Sequence, residues 1–157
     1  KVHAAKGSNL EAYTAVVATA WLSPSAVEQR KGVTYFGVDV LPEGSVPPWR
    51  VHRRYADFSL LHEELFLLGP RASYKEAPFP QKLFFQCTGE RLEARRRGLE
   101  LWLQHTLRHP ESRCKWRRPL RDFLQRIPST TPLPPPRAVE AEPAAAHAND
   151  GTTARAG

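Results

Sequence analysis

Between Val33 and Leu68 the apolar residues change period from two to roughly 3.6, which excludes both an all-helical and an all-strand chain. Residues 33–41, VTYFGVDVL, alternate as a strand does, and residues 13–22, YTAVVATAWL, are rich in the β-branched and aromatic types that strands favour. The intervening SPSAVEQRKG is expected to turn, and PEGSVPP forces a second turn before an extended pattern resumes at Trp49–His52. Phe58, Leu61, Leu65 and Leu68 then fall at helical spacing, and Gly69-Pro70 is a stop of the expected kind. Pro70, Pro78 and Pro80 keep the next stretch irregular. A long helix follows, with Thr88 as its expected cap and Leu92, Leu99, Trp102, Leu103 and Leu107 on one face. Beyond Pro110, the residues Leu120, Phe123, Leu124 and Ile127 predict a short third helix. The order predicts an α+β fold, a small three-stranded antiparallel sheet packed against about three helices.

Residues 1–12 are expected to be an N-terminal extension, 13–127 the folded domain, and 128–157 a disordered Pro/Ala-rich tail or linker. The last stretch has almost nothing large to bury, so it cannot offset the entropy of ordering it. With 157 residues, 41% of them apolar, the chain has room for one core and not two. It begins at Lys1 and contains no Met, which we read as a segment of a longer polypeptide. No apolar run approaches the roughly 20 residues that cross a bilayer, and no signal-peptide pattern is visible. Cys87 and Cys114 form no paired framework, so they are expected to be free thiols of a reducing compartment, the cytosol.

The formal charge of +7 is unevenly spread: residues 50–126 hold 17 Lys/Arg against 9 Asp/Glu. Such a surface attracts phosphate, whether of nucleic acid or of anionic lipid. The placement of the cations is more telling. Arg53-Arg54-Tyr55 lies where the third strand hands over to the first helix, Lys82 follows the proline loop, and Arg95 sits on the long helix. Arg95 comes three residues after Leu92 and four before Leu99, on or beside the stripe that should be apolar. An anion held between helix and strand end would give it a partner.

These residues, RRYADF at 53–58, PFPQK at 78–82 and RRRGLELW at 95–102, resemble the hallmarks of the Phox-homology (PX) family, in the family's order. The resemblance spans roughly Tyr13 to Ile127 and implies a sorting-nexin-like module that binds a phosphoinositide lipid. It implies that Arg54 grips the 3-phosphate, Tyr55 stacks beneath the inositol ring, Lys82 meets the 1-phosphate, and Arg95 binds the 4- and 5-hydroxyls. The residue types suit those tasks: a planar guanidinium pairs bidentately with phosphate, and an aromatic face covers the ring. Phosphatidylinositol 3-phosphate is then the expected ligand, and the endosomal membrane the expected address of a peripheral protein.

Phe84 and Phe85 are either core or a membrane-inserting pair, and insertion is expected because the family places such a loop beside the lipid pocket. Arg53 is expected at the surface, and Arg96, Arg97, Arg113, Lys115, Arg117 and Arg118 as a solvated basic face. His105 and His109, four apart, stand near Cys114, but the cysteine pairing of a zinc site is missing and no metal or other cofactor is expected. No nucleophile elbow, Gly-rich phosphate loop or convincing acid pair is present; Asp57, Glu63 and Glu64 read as capping or surface carboxylates, and no catalysis is expected. The alternative function is a protein-interaction module: Pro132, Pro135 and Arg137 fit a Pro-x-x-Pro-x-Arg ligand for an SH3 domain. Nucleic acid is not an expected partner, since the cations converge on one place and no known motif is present.

Overall fold

Lys31 and Gly32 set the sheet. Both have positive φ, 50° and 77°, the backbone of a two-residue turn whose twist matches the strands on either side. In the computed structural model, which describes residues 16–69 and 74–125, this turn joins β1 (Val17–Arg30) to β2 (Val33–Pro42). The strands pair antiparallel from Arg30↔Val33 to Val17↔Pro42. The expected turn over SPSAVEQRKG is therefore corrected to its last two residues. Leu22 faces Val38 and Val27 faces Phe36, so β1 takes five steps where β2 takes two. The Ser-Pro-Ser at 23–25 lies in that bulge, where a proline does not interrupt the ladder. Ala26, the last residue of the bulge, packs on Gly37, where a Cβ would come within 2.5 Å of the Ala26 Cβ, and pairing resumes at Val27.

β3 (Trp49–Arg54) pairs antiparallel with β2 from Val40↔Trp49 to Tyr35↔Arg54, giving the order β1-β2-β3. On the core face Ala20, Leu22, Phe36, Val38, Val40 and Val51 are buried. On the other face Asp39 is buried and accepts two bonds from Arg50, at 2.5 and 3.0 Å.

α1 (Tyr55–Leu68) starts directly at the end of β3, and α2 (Gly89–Arg108), a 3₁₀ turn (Pro110–Arg113) and α3 (Arg117–Leu124) follow. Phe58, Leu61 and Leu65 of α1, Leu99, Trp102 and Leu103 of α2, and Leu120, Phe123 and Leu124 of α3 close over the sheet, with Trp116 between them. The architecture is α+β, as the change of period predicts. Thr88 caps α2 without its side chain; its carbonyl accepts from Leu92.

Two arginines depart from expectation. Arg53 is no surface charge: it donates to the carbonyls of Phe123 and Gln125, at 2.8 and 3.2 Å, satisfying the C-terminal end of α3. Trp49 joins it through a 2.8 Å bond to the Leu124 carbonyl. Arg96 is buried, not part of a solvated face, and lies against the outer edge of β1. It donates to the Leu22 carbonyl and holds Glu93 and Glu100 at 2.7 and 3.2 Å. Glu100 accepts the Leu22 N–H at 2.8 Å, and Gln104 donates to the Ala20 carbonyl at 3.1 Å. Residues 96, 100 and 104 lie on one helix face, and together they satisfy edge groups that a fourth strand would otherwise pair.

Candidate functional site

Arg54 ends β3 and Tyr55 begins α1, so the handover of strand to helix falls between a guanidinium-bearing and a phenol-bearing residue. Asp57 fixes the corner: its carboxylate accepts the Arg54 backbone N–H at 2.8 Å and the side-chain Nε at 3.4 Å. The Arg54 side chain is half exposed, and its two terminal nitrogens have no partner among the described residues. A bidentate grip needs that presentation.

Tyr55 joins the site to the proline loop. Its hydroxyl donates to the Pro80 carbonyl at 2.7 Å, and burial pushes the phenol above its ordinary value, so it stays a donor at neutral pH. The Arg95 guanidinium carbon lies 4.4 Å from the centre of the Tyr55 ring, a cation–π contact, and Arg95 Nη2 donates to the Gln81 carbonyl at 3.3 Å. The loop is anchored at two further places. Phe79 stacks on His62 at 4.4 Å between ring centres and meets Trp102 edge-on at 5.0 Å. Pro80 packs against Gly98, where a Cβ would be 2.7 Å from the proline Cγ.

Beyond these anchors the chain runs outward. Lys82 is exposed, with no partner for its amine among the described residues, and Phe84 and Phe85 are 92% and 84% exposed. A core role for the phenylalanine pair is therefore excluded. Tyr55 and Arg95 are brought into contact, with Arg54 next to Tyr55 in the chain and Lys82 one residue beyond the Gln81 carbonyl that Arg95 touches. A shallow depression lined by Gly89, Glu90, Glu93, Ala94 and Arg97 on the first turns of α2 includes none of them. Its Glu93 carboxyl is held down to about 2, chiefly by the hydrogen bond from Arg96, and is already engaged.

The positioning residues Asp57, Phe79, Pro80, Gln81 and Gly98 were not singled out by sequence reasoning for this site. Gly98 carried the clearest signal, a lone glycine inside a helical pattern, which marks a close approach. Asp57 is a capping carboxylate, as expected from its place in the sequence. His105 and His109 flank the Tyr74 ring, and His109 Nδ1 accepts the Glu111 N–H at 3.2 Å. Pro132, Pro135 and Arg137 lie outside the described residues. Among the described residues no helix is long and apolar enough to cross a membrane.

A family model described as PX domain matches residues 41–127, more than half of the chain. Among solved structures, the X-ray structure of a designed CISK-PX domain superposes with a TM-score of 0.55 at 26% sequence identity, covering 69% of this chain and 99% of that one. No curated protein matches the sequence.

Proposed function

This chain belongs to the PX domain family, whose members are phosphoinositide-binding membrane-targeting modules, and on that premise we propose that it recognises phosphatidylinositol 3-phosphate on endosomal membranes. The observation that carries the reading is the Arg54 guanidinium, held at its Nε by Asp57 and open at its two terminal nitrogens. The 3-phosphate pairs with those nitrogens. Tyr55 and Arg95 form the adjacent wall: the ring backs the inositol, and the guanidinium donates to its 4- and 5-hydroxyls. Lys82 meets the phosphodiester from the loop, and Phe84 and Phe85 enter the acyl region beside it. No step in this function is catalytic.

The test separates specific grip from diffuse charge. Each charge-assisted hydrogen bond contributes about 1.5–3 kcal/mol, whereas a basic residue merely facing an anionic bilayer adds about 1 kcal/mol and is screened by salt. Arg54→Gln should therefore remove most binding to liposomes carrying the 3-phosphorylated lipid at low and physiological salt alike. Arg117 and Arg118 changed together to Gln should chiefly flatten the salt dependence. Folded Arg54→Gln protein that binds as the parent does would overturn the assignment.

A further inference from the structure

The outward side of α1 has the composition of an interface. Core packing uses Phe58, Leu61 and Leu65, and the opposite face carries Leu60, Glu63, Glu64 and Leu67 at i, i+3, i+4 and i+7. Leu60 is 63% exposed and Leu67 84% exposed. Neither carboxylate has an ion-pair or hydrogen-bond partner among the described residues. Within residues 50–126, Asp57, Glu93, Glu100 and Asp122 each hold a cation, whereas Glu63 and Glu64 stand side by side on the surface and hold none among the described residues.

The chain therefore shows two apolar patches with opposite flanking charge. Phe84 and Phe85 follow Lys82 and suit an anionic surface; Leu60 and Leu67 bracket two carboxylates and oppose one. Along the helix the second patch runs away from the first site, Leu60 standing about 8 Å and Leu67 about 18 Å beyond Tyr55 at about 1.5 Å per residue. Pairing with the same face of a second copy would bring four carboxylates together, which charge disfavours. We propose that this face of α1 docks a cationic amphipathic segment of a partner protein, in which large apolar side chains meet Leu60 and Leu67 and flanking Lys or Arg meet Glu63 and Glu64. The proposal does not depend on which lipid the Arg54 site binds.

The probe is a fluorescein-labelled peptide of about four helical turns with Leu on one face and Lys on the other, read by anisotropy against the full chain. Its counterpart carries Glu in place of every Lys. The lysine peptide should bind and the glutamate peptide should not. Leu60→Ser with Leu67→Ser, and separately Glu63→Lys with Glu64→Lys, should each weaken the lysine peptide at least tenfold, while Phe84→Ser with Phe85→Ser should leave it unchanged. The Leu60/Leu67 variant should bind phosphoinositide liposomes as the parent does, and the Glu63/Glu64 variant, which adds positive charge, should bind them at least as well, so a failure here and a failure at Arg54 read out separately. Equal binding of the two peptides, or full binding by either α1 variant, would overturn the proposal. So would loss of peptide binding in the Phe84/Phe85 variant, or loss of liposome binding in the Leu60/Leu67 variant, which would make α1 a membrane face.

Discussion

The Tyr55 hydroxyl donates to the Pro80 carbonyl at 2.7 Å, so the first residue of α1 holds the loop that presents Lys82. Tyr55→Phe keeps the ring beneath Arg95 and removes only that tie. The expected cost is about 0.5–1.5 kcal/mol in urea denaturation. Affinity for a soluble short-chain headgroup should fall a few-fold, because Lys82 is no longer held in place. A Phe variant as stable as the parent and binding as tightly would show that Phe79 and Pro80 fix the loop alone.

Phe84 and Phe85 touch little in the folded chain, so replacing both with Ser should leave stability within about 0.5 kcal/mol of the parent. Full burial of one such side chain is worth about 1.5–3 kcal/mol. Even partial insertion of the pair should thus separate parent from variant by about tenfold or more on liposomes, with soluble headgroup binding unaffected. Equal loss in both assays would place the pair in headgroup binding instead of insertion.

Gly98→Ala sets two effects against each other. Alanine improves an exposed helix interior by about 1 kcal/mol over glycine. Here the new methyl would stand 2.7 Å from a ring atom of Pro80, which cannot swing aside as a flexible side chain can. Overpacking of this kind costs about 1–3 kcal/mol, and it acts on the loop. The variant should be no more stable than the parent and should bind headgroup more weakly; a gain in melting temperature with unchanged binding would show that the loop yields freely.

His62 packs against Phe79 and Trp102, and burial there lowers its pKa below the ordinary value near 6.5, with Glu63 opposing in part. The fold favours the neutral ring. Its contribution to stability is fully present above about 6.5 and is lost as pH falls through the depressed folded value. His52 is shifted the same way, chiefly by burial, so acidification from pH 7.5 to 5.5 should lower the denaturation midpoint of the parent. His62→Phe, which keeps an aromatic against Phe79, should lose less over the same interval. An equal loss in both proteins would mean that His62 titrates as a free imidazole.

What the sequence made legible follows from the range of the forces involved. The helix start at Tyr55 and the stripe of Leu99, Trp102 and Leu103 depend on local periodicity, and both were readable; the candidate pair Arg54-Tyr55 rests on a compact motif. The length of β1 was hidden because Ser23, Pro24 and Ser25 have turn chemistry, and only pairing with β2 shows that a bulge accommodates them. Arg53 looked like a strand-end charge because the carbonyls it satisfies lie some 70 residues later. Arg96 was a miss with a visible signal. It stands four after Leu92 and three before Leu99, more squarely on the apolar stripe than Arg95 does, yet the long-range Leu22 carbonyl that accounts for it cannot be seen in the sequence.

The sealed margin of β1 bears on what happens after the protein reaches a membrane. Recruitment to a lipid surface confines molecules to a thin layer, where they collide far more often than in bulk, and an open strand edge is a template for one molecule to extend another. At Ala20 and Leu22 that template is already occupied by Gln104, Glu100 and Arg96 of the same molecule. Neighbours crowded together on a bilayer find no ladder to continue at that margin.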